Sequence, residues 1–159
     1  MGNRSTVEKQ TEAPVNIDST PSLNNEIIIC GGVNKSDCYS YHMIKNQYKL
    51  ICSYPEEVTL LGHCVVKLAN DKKSANGTTL LSFGGRYKHT LVMKYVSVWG
   101  KESNGIAKDC NQWFPFIDKN SNRAVSIGRD EDIYSEVRAV IGGSNNNLLF
   151  VMYLPKNID

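Results

Sequence analysis

The sequence lacks the features that mark a membrane-spanning or secreted protein. None of its apolar runs approaches the roughly 18 residues needed to cross a bilayer, and the N-terminal segment contains no apolar core of a secretory signal. The five cysteines form an odd set without a Cys-x-x-Cys pair, which favours reduced, mostly buried thiols over a disulfide framework. These absences together predict a cytoplasmic protein.

The chain also lacks a strong charge imbalance and the short motifs of common catalysts. Its 18 Lys and Arg and 16 Asp and Glu are spread along 159 residues, so nucleic acid is not the expected partner. There is no Gly-x-Ser-x-Gly elbow, phosphate loop or zinc-protease motif, and His42, His63 and His89 show no metal-ligand spacing. His63 and Cys64 are adjacent, but neighbours in a strand point to opposite faces. We therefore expect no catalytic residue, no cofactor and no metal.

From Glu26 onward, the sequence contains short β-branched and aromatic runs separated by turn-forming clusters. No segment has a convincing helical period, so the body is expected to be all-β, with sequential antiparallel hairpins. Residues 1–24 carry too little apolar surface to order and are expected to form a flexible, disordered polar arm. Nine strands are predicted, at 26–30, 38–43, 48–53, 64–68, 79–83, 90–99, 112–117, 137–141 and 148–153.

The order of features in the chain indicates an internal repeat. Two glycine pairs, Gly31-Gly32 and Gly84-Gly85, are 53 positions apart, and each follows a strand-forming run of five residues. An aromatic strand follows each pair, and an Asn-Gln-aromatic triplet then opens another strand. A third, partial copy starts near residue 137, where Gly142-Gly143 is expected to be a hairpin turn instead of a strand end. The aromatic positions are Tyr39, Tyr41 and Tyr48 in the first unit, and Tyr95 and Trp113 in the second.

These residues resemble the kelch repeat, whose unit is a four-stranded propeller blade of about 50 residues. The resemblance implies a domain at 25–159 with antiparallel blade units at about 25–54, 62–118 and 137–159, forming a partial, open β-propeller. Tyr48 stands where the kelch pattern has Trp, and the last unit lacks its own Gly-Gly, Tyr and Trp. The residues expected to determine this fold are Gly31, Gly32, Tyr41, Tyr48, His63, Gly84, Gly85, Tyr95 and Trp113.

The resemblance implies a non-enzymatic module that binds a protein partner through the loops between strands. In kelch-like blades the loop after the glycine pair commonly faces the partner, and rigid β scaffolds often bind through such loops. Two alternatives stay open: a repeat fragment that self-associates through open blade edges, and a copper oxidase with His and Tyr ligands, as in some kelch-type propellers. The candidate partner-contact residues are Asn34, Lys35, Arg86, Tyr87 and His89.

The N-terminus carries a candidate lipidation signal. Gly2 follows Met1, and Thr6 stands four positions after the glycine, which matches the N-myristoylation pattern. One myristoyl chain anchors a protein only weakly, and Arg4 and Lys9 add little basic charge. The sequence therefore offers a further alternative, a scaffold with weak and reversible membrane contact through Gly2.

Overall fold

The computed structural model describes residues 25–32, 34–68, 77–100, 108–129, 131–154 and 157–158. The predicted N-terminal arm and the candidate lipidation site at Gly2 lie outside these residues. Within the described residues, no helix is long and apolar enough to cross a membrane. The described strands are β1 (Glu26–Gly32), β2 (Lys35–His42), β3 (Gln47–Ser53), β4 (His63–Lys67), β5 (Thr78–Gly84), β6 (His89–Tyr95), β7 (Phe114–Pro115), β8 (Ile133–Gly142), β9 (Leu148–Leu154) and β10 (Asn157–Ile158).

The strands form three antiparallel sheets in which chain neighbours pair with each other. The first sheet is β1-β2-β3, the second is β4-β5-β6-β7 and the third is β8-β9-β10. The prediction of an all-β body with sequential antiparallel hairpins is confirmed. Gly143 begins the turn of the β8–β9 hairpin with a φ of +86°, as expected for a tight turn.

Each of the nine predicted strands is present, but several ends differ. The strand predicted at 90–99 ends at Tyr95, and the one predicted at 112–117 shrinks to Phe114–Pro115. β8 begins at Ile133 instead of residue 137, because a β-bulge between Ile133 and Arg138 breaks the alternation that a sequence pattern detects. β10 was missed, since two residues are too short to show a pattern.

The second sheet lies between the other two, and its inner strand β5 is buried on both faces. Successive side chains of a strand point to opposite faces, so Leu80 packs toward the first sheet whereas Leu81 and Phe83 pack toward the third. Two apolar cores result. The core between the first and second sheets contains Cys38, Tyr54, Leu60, Leu80, Leu91, Met93, Tyr95 and Trp113. The core between the second and third contains Val66, Leu81, Phe83, Tyr134, Val137, Val151 and Tyr153.

The glycine pairs stand where one sheet meets the next. Gly84 and Gly85 have φ values of +84° and +78°. A Cβ on Gly84 would lie 2.6 Å from Val137 Cγ1, and one on Gly85 would lie 3.2 Å from the Leu61 carbonyl oxygen. Gly31 also has a positive φ, of +63°. Three of the four predicted glycines therefore allow a backbone conformation that L side chains rarely adopt.

Gly32, the remaining glycine of the two pairs, is less constrained than the other three. A Cβ on Gly32 would meet only Lys35 Cβ, at 3.8 Å, which is ordinary van der Waals contact. Gly32 pairs with Lys35 where β1 turns into β2, and its φ lies outside the left-handed region. The structure therefore gives a steric reason for glycine at Gly31, Gly84 and Gly85, and none at Gly32.

Candidate functional site

The β5–β6 turn presents two exposed side chains on a backbone held at both ends. The Gly85 amide donates to the Tyr134 carbonyl at 2.9 Å, and the Arg86 amide donates to the Leu61 carbonyl at 3.1 Å. These bonds fasten the turn to the segments that precede β4 and begin β8. Arg86 and Tyr87 point outward from it, and Tyr87 is 65% exposed. Both were predicted as contact residues from the sequence.

A shallow depression of about 530 Å³ lies beside this turn, where the second and third sheets meet. Its walls combine apolar and charged side chains: Leu61, Arg86, Lys88, Glu131, Ile133 and Ser135 are among them. Leu61 and Ile133 are large apolar residues that remain exposed to solvent. Sequence reasoning found only Arg86 of this set. The others lie in segments without a regular hydrophobic pattern, and only the folded chain brings them together.

An ion pair shapes the backbone behind the depression. Arg129 Nε and Nη2 donate to the two carboxylate oxygens of Asp132 at 3.0 and 3.1 Å, and Nη2 also donates to Tyr153 Oη at 3.2 Å. The hydrogen bonds from Arg129 lower the pKa of Asp132. Lys88 Nζ donates to the Arg129 carbonyl at 3.0 Å. This arrangement ties the β5–β6 turn to the chain that leads into β8, so the rim of the depression is fixed.

The other predicted contact residues are divided between the surface and the interior. Asn34, with a φ of +57°, and Lys35 are exposed where β1 turns into β2. The expectation that His89 lies in a loop was wrong, because it is the first residue of β6. Its Nε2 lies 2.8 Å from Ser82 Oγ, and Ser82 is fully buried. Burial, together with His63, lowers the pKa of His89 to about 4.

His63 and His89 belong to an aromatic cluster between the first and second sheets. Their ring centroids are 5.7 Å apart, and Tyr54 lies 5.6 Å from His63 and 5.9 Å from His89. Tyr54 Oη donates to Ser82 Oγ at 2.8 Å, and burial lowers the pKa of His63. Ser82 and His89 form a hydroxyl–imidazole pair, but the buried serine has no solvent-accessible surface at which a substrate could meet it.

The predicted aromatic positions differ in burial between the two units. Trp113 is buried, donates its Nε1–H to Cys38 Sγ at 3.2 Å and stacks on Tyr54 at 4.8 Å. Tyr95 is buried beside it in the same core. In the first unit, Tyr41 is half-buried and Tyr48 is 63% exposed, with their ring centroids 4.7 Å apart. The two units thus share the positions of their aromatics but not the burial.

Three cysteines form a row across the first sheet that the sequence did not reveal. Cys30 pairs with Cys38, and Cys38 pairs with Cys52, on the face toward the second sheet. Hydrogen bonds from Cys30 and Cys52 lower the pKa of the Cys38 thiol. The same hydrogen bonds, together with burial, raise the pKa of the Cys30 and Cys52 thiols. Strand register decides this proximity, and spacings of eight and fourteen residues do not predict it.

Within the described residues, no group of three His, Cys, Asp or Glu side chains is arranged to hold a metal ion. Comparisons with known protein families, curated proteins and solved structures give no match for this chain. Among the described residues, the β5–β6 turn and the depression beside it form the candidate functional site.

Proposed function

We propose that this chain is a non-enzymatic protein-binding module, built from kelch-type blades, that contacts a protein partner through the turns at one end of its sheets. The repeat supports the blade assignment. β1 and β2 occupy 26–32 and 35–42, and β5 and β6 occupy 78–84 and 89–95, close to the 53-residue spacing of the sequence. The triplet asparagines Asn46 and Asn111 both adopt a left-handed conformation, with φ of +51° and +56°.

The observation that carries the binding role is the fixed, exposed turn at Arg86 and Tyr87 beside the depression. Arg and Tyr are among the residue types most often found as hot spots in protein interfaces. The Arg86 guanidinium carbon lies 5.9 Å from the centroid of the Tyr87 ring, so the two side chains form one local surface. Because the backbone hydrogen bonds of the turn already hold it, binding would cost little ordering entropy.

The chemistry of the depression suits a protein surface. Leu61 and Ile133 supply apolar contact area, while Arg86, Lys88 and Glu131 supply charges of both signs. Protein interfaces commonly combine an apolar centre with a polar rim. A nucleic acid would instead favour a surface dominated by Lys and Arg. The partner is therefore proposed to be a protein with an apolar contact flanked by charged side chains.

Affinity capture with matched variants tests this proposal. The wild-type chain, the double variant Arg86→Ala/Tyr87→Ala and the double variant Lys119→Ala/Asn120→Ala would be used to capture partners from native lysate, with quantification by mass spectrometry. Lys119 and Asn120 are exposed in the loop between β7 and β8 and serve as the control. We expect a partner that the wild-type and control chains retain equally and that the Arg86/Tyr87 variant loses at least about tenfold, since removal of two hot-spot side chains costs 1.4 kcal/mol or more.

A photo-crosslinking residue in place of Tyr87 identifies the contact directly. The expected result is a covalent adduct with the same partner, and none from the same crosslinker placed at Lys119. Capture that is unchanged by Arg86→Ala/Tyr87→Ala, in a variant whose unfolding curve matches the wild type, would remove the turn from the binding surface.

A further inference from the structure

The face of the first sheet that points away from the second sheet is apolar and exposed. Cross-strand partners lie on the same face of a sheet, so the register places two rows of side chains there. One row is Ile27, Tyr41 and Tyr48, and the other is Ile29, Tyr39 and Leu50. Tyr48 and Leu50 are 63% and 55% exposed. Contiguous apolar surface of this kind commonly marks an interaction site. We call these six residues the leading face.

The third sheet has an exposed apolar face on the opposite side of the stack. β8 and β9 pair Val140 with Phe150 and Gly142 with Leu148, on the side away from the second sheet. Val140, Phe150 and Leu148 are each more than two-fifths exposed. We call this the trailing face; it consists of Arg138, Val140, Gly142, Leu148, Phe150 and Met152.

The three sheets are stacked in the same orientation, with their aromatic faces on the same side. The second sheet turns two aromatic side chains, Tyr95 and Trp113, toward the first sheet. The third sheet turns a stacked pair, Tyr134 and Tyr153, toward the second sheet. In both internal interfaces, two aromatic side chains of one sheet therefore pack against the sheet that precedes it in the chain.

The first sheet carries an equivalent pair, Tyr41 and Tyr48, on its leading face. Their ring centroids are 4.7 Å apart, the same separation as between Tyr134 and Tyr153 in the third sheet. Within the described residues no sheet packs against this pair. The trailing face is of the complementary kind, since it presents aliphatic side chains, Met152 and the single ring of Phe150.

We propose that a second copy of this chain covers these faces head to tail, with the leading face of one copy packed on the trailing face of the other. The interface continues the stacking order that the chain already uses twice, between its first and second sheets and between its second and third. Two copies that pair reciprocally bring together six sheets, within the range of four to eight blades that close β-propellers contain. Such closure uses both faces and leaves neither exposed.

The charges at the two faces are also complementary. Asp37 lies on the leading side of β2, where it accepts hydrogen bonds from Tyr39 Oη and Ser53 Oγ. Arg138 lies on the trailing face, opposite Met152 in the strand register. Head-to-tail packing brings one acidic and one basic residue to the same interface, whereas pairing two identical faces would place like charges together. Electrostatic complementarity therefore favours the head-to-tail arrangement.

The test measures the mass of the full chain by size-exclusion chromatography with light scattering. The wild type is expected to elute with twice the 17.8 kDa mass of one chain. Tyr48→Glu on the leading face and Val140→Glu on the trailing face should each reduce the mass to that of one chain, because each places an unpaired charge in an apolar interface. Ile44→Glu is the matched control: Ile44 is 75% exposed in the β2–β3 turn, off both faces, and its variant should keep the doubled mass.

Mixing the two disruptive variants distinguishes head-to-tail pairing from pairing of identical faces. The intact trailing face of Tyr48→Glu can meet the intact leading face of Val140→Glu, whereas the second interface of that pair carries both glutamates. The mixture should therefore have a higher average mass than either variant alone, through its one intact interface. If only one of the variants dissociates, or the mixture associates no more than each variant alone, the head-to-tail arrangement is wrong. A wild type that elutes with the mass of one chain at a chain concentration of about 100 µM would overturn the proposal and assign the faces to another partner. That concentration is on the order of the dissociation constant of a weak specific complex.

This interface is separate from the proposed contact at the β5–β6 turn. Arg86→Ala/Tyr87→Ala should keep the doubled mass, and Val140→Glu should keep the β5–β6 turn intact. A wild type that runs as a single chain but loses its partner in Arg86→Ala/Tyr87→Ala refutes only the head-to-tail proposal. A wild type of doubled mass whose partner capture is unchanged in that variant refutes only the proposed contact at the β5–β6 turn.

Discussion

Gly84 shows how strictly the packing of two sheets can fix one residue. Its φ of +84° suits glycine, and the space that a Cβ would occupy is already taken by Val137. Strain of this backbone conformation costs about 1–3 kcal/mol, and overpacking of a core adds a similar amount. The glycine pair was predicted from its repetition in the sequence, and the structure supplies the steric reason for it.

Gly84→Val is therefore expected to lower the free energy of unfolding by roughly 3 kcal/mol or more, from the sum of these two costs. Gly85→Val should also destabilise the fold, since its φ is +78°. Urea unfolding followed by tryptophan fluorescence measures both. Gly100→Ala is the control, because nothing lies within 4 Å of its Cβ position. Equal midpoints for Gly84→Val and Gly100→Ala would contradict the close approach of β5 and β8.

His89 gives the protein a predictable sensitivity to acid. Burial lowers its pKa from 6.5 in the unfolded chain to about 4 in the folded one, so the unfolded chain takes up a proton first as the pH falls. The stabilisation that depends on neutral His89 is present above pH 6.5 and is lost as the pH falls toward 4. The full pKa shift corresponds to a loss of about 3 kcal/mol in the free energy of unfolding. The actual loss is smaller, because the ring is partly exposed and solvent screens the charge.

Urea unfolding at pH 7 and at pH 4.5 measures this loss. In His89→Asn, which keeps a polar group near Ser82, the fall in unfolding free energy between the two pH values should be smaller by about 1–2 kcal/mol. Part of the fall will remain, because burial also lowers the pKa of His63. Parallel pH profiles for the wild type and the variant would contradict a neutral, buried His89.

At the scale of elements, one carboxylate joins the first sheet to the second. Glu26, at the start of β1, accepts hydrogen bonds from Ser40 Oγ at 2.8 Å, from Ser97 Oγ at 2.6 Å and from Tyr95 Oη. Ser40 and Tyr95 are buried, so both hydroxyls depend on an acceptor inside the protein. No sequence pattern indicates this role for Glu26, because its partners are fourteen to seventy-one positions away.

Glu26→Ala should lower the free energy of unfolding by about 2–4 kcal/mol, because it leaves two buried hydroxyls without their acceptor. Glu26→Gln retains an acceptor oxygen and should lose less. Thermal and urea unfolding measure both variants. Glu57→Ala, at an exposed position, is the control and should change stability by less than about 0.5 kcal/mol. A Glu26→Ala variant as stable as this control would show that the hydroxyls find other partners.

The strand pairing itself was largely predictable. Short β-branched runs separated by glycine and asparagine clusters gave the all-β class, the hairpins and the order of strands, because turn residues and side-chain alternation are local properties. The ends were less accurate: β8 begins before the predicted residue because its bulge, with Glu136 at a φ of +63°, interrupts the alternation. Bulges depend on the neighbouring strand and the packed sheet, which a local pattern does not contain.

At the scale of the whole molecule, the stacking order of the sheets decides which faces are buried and which remain available. The second sheet is covered on both sides, and each outer sheet is covered on one. The same aromatic position is therefore buried at Trp113 and exposed at Tyr48. The kelch-type assignment, the protein partner and the cytoplasmic location stay predictions.

The sequence by itself determined the all-β class, the antiparallel hairpins and the two glycine pairs, since each depends on residues close together in the chain. Only the tertiary structure decided that His89 faces Ser82, that three cysteines form one row, and that Leu61, Arg86 and Ile133 line one depression. These arrangements depend on strand register and on which sheets stack. Both are set by the packing of side chains distant in sequence, because a shift of one residue in register would move every side chain to the opposite face.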